Sequence, residues 1–327
     1  MAVYTHLGAE TLAELIGHYD VGELVSAKGI AEGVSNSNWL IETGGSDGTG
    51  ARFILTMYER RIEPGDLPFF LGLLDHLSAK GCPVPRTIHD RAGAAYRMLD
   101  GKAVALIEFL PGVSVDAPTA AQARAVGAAL AEIHLAAQDY EGSRANDLSP
   151  GDWRDLFEQC GSDALTEIDP ALAGLAHARL PEIAAVWPED LDRSIIHADL
   201  FPDNVLMLGD RVSGLIDFYF ACTDMMAYDF AVTHAAWCFD RDGRCFDEAV
   251  SGALLAGYES VRPFGDAERA ALPVLAQGAC MRFVATRAFD WIDTPEDALV
   301  TRKDPMDFAR RLEFYAEAGD APFAAAR

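Results

Sequence analysis

Three polar side chains stand at spacings suited to moving a phosphoryl group: Asp199, Asn204 and Asp217. Asp199 lies in Ile195-Ile196-His197-Ala198-Asp199-Leu200-Phe201-Pro202-Asp203-Asn204-Val205-Leu206, and Asp217 follows in Leu215-Ile216-Asp217-Phe218. Phosphoryl transfer needs in-line positioning, metal-borne charge neutralisation and one group that orients the attacking hydroxyl. A carboxylate at Asp199 can accept or orient the hydroxyl proton, while Asn204 and Asp217 offer oxygen ligands of the kind Mg2+ takes as it keeps several waters. Asp and Asn near strand ends are also ordinary turn residues. Their placement between two apolar runs, each fit to be a buried strand, favours the chemical reading and predicts a site carried by a hairpin.

The chain has 327 residues, more than one comfortable core holds, so two lobes are expected. Its formal net charge of -25 argues against nucleic acid and anionic membranes, since both associate mainly through basic groups. No apolar stretch approaches the ~20 residues of a membrane-spanning helix, and Met1-Ala2-Val3-Tyr4-Thr5-His6 lacks the basic and apolar regions of a signal peptide. A soluble protein resident in the cytoplasm is the expectation. The six cysteines lack Cys-x-x-Cys spacing, which fits reduced thiols better than a disulfide framework or a zinc site.

The elements that must position the site begin with a helix over 9–19 and a strand over 24–27. Lys28 to Asn38, with Gly29 and Gly33 among small polar residues, suits either a phosphate-covering loop or a plain hairpin turn. Strands follow at 39–42 and 53–58, then a helix over 66–80 with Leu67, Phe70, Leu71, Leu74 and Leu77 on one face. Strands at 94–99 and 103–110 lead to Pro111-Gly112. Thr119 and Gln122 form a capping box for a helix striped by Val126, Leu130 and Ile133, beside which His134 reads as a core residue. Residues 152–187 read as two helices. Asp224 and Asp229 read as caps of a helix running to about Phe239, with holding the metal loop as their alternative role. Helices over 246–261 and 267–291 follow, the second carrying Arg282 and Arg287, and Asp304 caps a last helix from Pro305.

The His-x-Asp-x-x-x-x-Asn spacing with Ile216-Asp217-Phe218 resembles the catalytic loop and metal segment of the aminoglycoside phosphotransferase-like kinases, relatives of protein kinases. Further blocks resemble the homoserine kinase group of that family. They include Ser35-Asn36-Ser37-Asn38-Trp39, Phe53-Ile54-Leu55-Thr56-Met57-Tyr58-Glu59, Ile107-Glu108-Phe109-Leu110-Pro111-Gly112, Arg282-Phe283-Val284-Ala285-Thr286-Arg287 and Lys303-Asp304-Pro305. The third strand has Thr56 where a kinase normally carries Lys, and the next helix offers only Asp75 as an acid. That substitution belongs to the group's pattern, and Arg52, Arg60 and Arg61 are the cations nearby.

The resemblance implies an α+β, bilobal protein-kinase-like fold, with a nucleotide-covering antiparallel sheet lobe over 1–108 and a larger, mainly helical lobe over 109–327. It implies ATP and Mg2+ as cofactors and L-homoserine as the small-molecule partner, phosphorylated to O-phospho-L-homoserine for threonine synthesis. Asp199 is then the catalytic residue, Asn204 and Asp217 the metal ligands, and His197 an architectural residue of the loop. Gly33, Ser35, Asn36, Ser37, Glu108 and Leu110 would meet the nucleotide. A zwitterionic acceptor needs a cation for its carboxylate and an acid for its ammonium, for which Arg282, Arg287 and Asp224 are the candidates. The alternatives are a kinase for aminoglycosides or choline, to which an acidic chain would suit a cationic substrate, and a pseudokinase acting as a binding module. Long apolar helix faces fit a monomer and a homodimer equally.

Overall fold

Alternation sets the first strands. In Phe53-Ile54-Leu55-Thr56-Met57 the odd positions join Trp39, Ile41, Val104 and Leu106 in one buried cluster. Leu12, Leu15 and Ile16 of the first helix cover it. The computed structural model describes residues 5, 7–30, 36–45, 50–59, 62–294 and 302–324. By its internal contacts the chain divides into two units, Met1–Pro111 and Gly112–Arg327.

The first unit holds α1 (Ala9–Ile16), β1 (Glu23–Ile30), β2 (Asn36–Gly44), β3 (Gly50–Tyr58), α2 (Leu67–Ala79), β4 (Thr87–Ile88), β5 (Arg97–Leu99) and β6 (Lys102–Glu108). Its sheet runs β1-β2-β3-β6-β4, with β5 on β6, and every neighbouring pair is antiparallel. Asp75 of α2 does not serve as a partner for a strand cation. It accepts from the Thr87 amide at 3.0 Å and pairs with His89 at 2.6 Å, which ties α2 to β4.

The second unit begins with α3 (Ala120–Ala136), whose Thr119–Gln122 capping box forms as expected. Where two helices were expected over 152–187 there are three: α4 (Pro150–Cys160), α5 (Ser162–Ile168) and α6 (Leu172–Ala185). Gly161 causes the extra break, since at φ 75° it takes a conformation that no L side chain adopts without strain. Then come β7 (Arg193–Ile196), β8 (Val205–Leu208), β9 (Arg211–Leu215), β10 (Cys222–Met225), α7 (Met226–Trp237), α8 (Glu248–Glu259), α9 (Asp266–Asp293) and α10 (Met306–Ala318). Asp304 accepts from the Met306 amide at 2.8 Å, as its capping position predicts.

Two glycines let α3 and α8 touch backbone to backbone. A Cβ on Gly127 would lie 2.1 Å from the Leu254 carbonyl oxygen, and one on Gly257 would lie 2.0 Å from that of Arg124. α7 is buried along its whole length, Asp229 and His234 included. Cys222, Cys238 and Cys280 are buried and all six thiols are free. Among the described residues no helix is long and apolar enough to cross a membrane.

Candidate active site

The hairpin prediction holds for one half of the site and fails for the other. β8 and β9 pair from Val205↔Leu215 onward, and the Ile216 amide donates to the Asn204 carbonyl at 3.0 Å, so this hairpin brings Asn204 and Asp217 together. β7, which delivers His197 to Asp199, pairs instead with β10, Ile196 facing Cys222. Residues 222–225 open as a strand where a helix was expected, and the helix begins at Met226.

Between β7 and β8 the chain turns sharply. Ala198 has φ 62° and Asp217 has φ 66°, left-handed conformations that disfavour L side chains by roughly 1–2 kcal/mol each. The compensation at Ala198 is visible. The buried Asp229 carboxylate accepts from the His197 and Ala198 amides, both at 2.7 Å, and from His134 Nε2 at 2.9 Å. His134 is held in turn by Tyr258 at 2.9 Å. Burial pushes the Asp229 pKa up, but the hydrogen bond and charge of His134, with the contribution of His197, leave it below the ordinary value. A buried carboxylate thus grips the loop through two consecutive amides.

His197 is fully buried, and burial lowers its pKa. Its Nε2 meets the Ile216 carbonyl at 2.9 Å and its Nδ1 accepts from the Asp199 amide at 3.2 Å, so both ring nitrogens serve the loop. Trp237 Nε1 donates to the Leu200 carbonyl at 2.9 Å. The loop therefore hangs from α3, α7 and the residue after β9 at once.

Asp199 keeps 19% of its side-chain surface exposed. Burial raises its pKa, opposed by the charges of Arg282, His197 and Lys303. Asn204 Nδ2 donates to the Asp199 carbonyl at 2.8 Å, which leaves the amide oxygen as the atom it can offer a cation. Asp217 is pushed up to about 7, first by burial and then by the charges of Asp199 and Asp203. No group of three acidic, His or Cys side chains among the described residues is close enough to hold a metal ion by itself, so a hard divalent cation here would rest on the Asn204 amide oxygen and the Asp217 carboxylate with water or phosphate oxygens.

The other expected site residues fall into different surroundings. Arg282 is buried at 2% exposure, donates Nη1 to the Ala198 carbonyl, and sets Nη2 3.8 Å from Asp199 Oδ1. Its guanidinium lies 4.7 Å from the Phe283 ring and 5.3 Å from that of Phe220. Arg287 donates to the Asp304 carbonyl at 3.0 Å and to Asp307 at 3.1 Å, over the Phe308 ring. Asp224 accepts from Arg193 at 2.9 Å and Asn146 at 2.7 Å. Each of these three charges already has protein partners.

In the first unit, Asn36 and Asn38 lie opposite Tyr58 and Thr56, while Ser37 lies opposite Met57 and so belongs to the other face of the sheet. Asn38 Oδ1 accepts from Thr56 Oγ1 at 2.8 Å. Asn36 Oδ1 is buried without a hydrogen-bond partner among the described residues. On the opposite face Ser37 donates to Glu59 at 2.7 Å, and Glu59 pairs with Lys102. Glu108 exchanges backbone and side-chain hydrogen bonds with Arg86, its amide donating to the Arg86 carbonyl at 3.0 Å. Leu110 follows β6 half-buried. Arg52 stacks 4.4 Å from the Phe109 ring. Gly33, Ser35, Arg60 and Arg61 lie outside the described residues.

The model of the phosphotransferase enzyme family matches residues 26–264. A homoserine kinase of Methylobacterium radiotolerans is 51% identical over 321 residues, 98% of this chain and 98% of that protein. A homoserine kinase of Acidiphilium cryptum is 50% identical over the same shares of both chains. Among solved structures, spectinomycin phosphotransferase in complex with ADP and spectinomycin superposes with a TM-score of 0.72, covering 97% of this chain and 100% of that one. At 14% identity that likeness is one of fold. Residues 26–264 are well over half the chain and the homoserine kinases match nearly all of it, so the protein belongs to the phosphotransferase enzyme family.

Proposed function

We propose that this chain is a homoserine kinase, transferring the γ-phosphoryl group of ATP to the hydroxyl of L-homoserine in threonine biosynthesis. The observation that carries the reading is 51% identity with a homoserine kinase across 98% of both chains. The loop geometry supports it independently, since Asp199, Asn204 and Asp217 converge where a phosphotransferase needs an acid and a cation site.

Asp199 accepts the hydrogen bond of the homoserine hydroxyl and aims its oxygen at the γ-phosphorus for in-line attack. The new bond joins that oxygen to phosphorus as the bond to the bridging oxygen of ADP breaks, and the hydroxyl proton leaves towards Asp199 and solvent. Asn204 Oδ1 and Asp217 would hold Mg2+, which neutralises charge on the phosphates when bound. Arg282 and Asp229 act on the loop, holding the Ala198 peptide and with it the direction of Asp199.

The nucleotide would meet the face of the sheet that carries Asn36, Asn38 and Thr56, and the unpartnered Asn36 Oδ1 supports that choice. The backbone from Glu108 to Leu110 would receive the adenine edge, and Gly33 with Ser35 would cover the phosphates. Ser37 would act on the nucleotide only through its neighbours, since its hydroxyl is committed to Glu59. A MgATP-dependent step on a free amino acid fits residence in the cytoplasm.

The test is ADP release by purified protein with MgATP and L-homoserine, beside choline, kanamycin and the Asp199→Ala variant. Homoserine-dependent turnover that the variant lacks, and that chelation of Mg2+ stops, is the expected result. Turnover with choline or kanamycin alone would overturn the acceptor, and silence with every acceptor would overturn the enzyme.

A further inference from the structure

A zwitterionic amino acid brings a carboxylate into a site already crowded with acids, and a carboxylate stripped of water needs a cation. Both arginines that the sequence offers for this task end on protein oxygens. Arg282 is buried against the Ala198 carbonyl, and Arg287 against Asp304 and Asp307. Around Asp199 the charged and titratable groups are His197 on the loop itself, Arg282 on α9, Asp203 and Asp217 beside the hairpin, and Lys303 ahead of α10. Burial lowers the His197 pKa.

Of the cations around Asp199, Arg282 is buried and Lys303 is exposed. Its Nζ stands 5.8 Å from the ring centroid of Phe201, two residues beyond Asp199, and it makes no ion pair with a carboxylate among the described residues. The Phe201 ring is fixed between Phe283 at 4.9 Å and Phe308 at 5.8 Å, so the platform under the ammonium is rigid. Because Phe201 follows Asp199 by two residues on the same loop, an ammonium over that ring lies beside the loop that carries Asp199 rather than on a remote surface.

We infer that Lys303 binds the carboxylate of the amino-acid acceptor, its ammonium reaching over Phe201 while Asp199 holds the acceptor hydroxyl. This rests on the homoserine kinase reading. A short carbon chain separates the two ends of homoserine, so one acceptor spans an acid at its hydroxyl and a cation just beyond. The phosphates, by contrast, would meet the cation that Asn204 and Asp217 would hold. A lysine suits the position because a single mobile point charge can follow a small ligand in and out.

The experiment compares Lys303→Met and Lys303→Arg with the unaltered protein, using L-homoserine and 3-amino-1-propanol, an acceptor without the carboxylate. Losing one charge-assisted contact should raise the homoserine KM of Lys303→Met about 10- to 100-fold, with kcat and the ATP KM within about twofold. Lys303→Arg should recover most of the loss. The kcat/KM for 3-amino-1-propanol should be the same with and without the lysine. An unchanged homoserine KM overturns the inference. So does a fall in kcat at constant KM, which would move the charge to the transferring phosphoryl group, or an equal loss with both acceptors. If the unaltered protein turns over no homoserine, the functional reading fails first and takes this assignment with it, an outcome separate from a variant that behaves like the parent.

Discussion

Replacing Arg282 by methionine should slow the reaction while leaving homoserine affinity nearly unchanged. The side chain is 2% exposed, donates to the Ala198 carbonyl, and lies 3.8 Å from Asp199 Oδ1. At that distance two unit charges attract by about 4 kcal/mol at an effective dielectric constant of about 20, and the 19% exposure of Asp199 lowers the net figure. Removing one partner of a buried pair typically costs about 3–5 kcal/mol, so urea unfolding should show a loss of that order. With the Ala198 peptide released, Asp199 no longer points where in-line attack needs it, and misplacement of a reacting group by about 1 Å costs roughly 100-fold in kcat. Arg282 is also the foremost charge holding the Asp199 pKa down against burial, so without it that pKa rises further. The proposed mechanism uses Asp199 as its carboxylate, so the acid limb of the kcat/KM profile should shift to higher pH. Steady-state kinetics across pH, with Arg282→Lys as the variant that keeps charge but loses the planar fork, read all of this. A homoserine KM raised tenfold or more with kcat intact would refute the reasoning and make Arg282 a direct carboxylate ligand.

Two further outcomes concern stability. His234 sits wholly buried between Tyr315 at 2.6 Å and Ser251 at 2.8 Å, and burial pushes its pKa from 6.5 down to about 3. Above 6.5 it is neutral folded and unfolded alike. Below that, only the unfolded chain takes the proton, so stability should fall by about 1.4 kcal/mol per pH unit from this residue until pH nears 3. Urea midpoints from about pH 7 to about pH 5 should show this, and His234→Gln should flatten the slope by about one proton; an unchanged slope would count against it. At the α3–α8 contact, Gly127→Ala or Gly257→Ala drives a methyl group into a backbone carbonyl, which should destabilise by about 1–3 kcal/mol or more. The same alteration at Gly252, which has open space around its Cβ direction, should be nearly silent in a thermal melt.

Much of the architecture was legible because it is local. The α3 capping box, the Asp304 cap and the alternation of β3 follow from neighbouring residues. Asn204 and Asp217 came together because a short antiparallel hairpin, with all its signals in one stretch, lies between them. Asp229 was harder to read. In sequence it is an acid in the first turn of a helix, indistinguishable from a cap, whereas its partners lie 31, 32 and 95 residues away. Only the completed fold gives it the loop amides. The same limit applies to β10, a four-residue strand whose partner β7 is far off in sequence, and to the two arginines, whose positions were evident but not their directions. Asn36 and Ser37 carry an intermediate lesson. Their types suggested phosphate contacts, but adjacent strand residues face opposite ways, and register then decides which can share a ligand with Thr56.

The anchors of the catalytic loop have one property in common: Asp229, His134, Arg282, Trp237 and the Ile216 carbonyl all belong to the unit Gly112–Arg327. Among the described residues, the hydrogen bonds of the Ala198 amide and carbonyl all come from within that unit. On the proposed function, a loop anchored in this way is held before ligands arrive, and the free energy of nucleotide and amino-acid association can go into affinity and alignment instead. Substitutions in the sheet unit, to which the proposed function gives the nucleotide, should accordingly alter how tightly ATP is held long before they alter where Asp199 points.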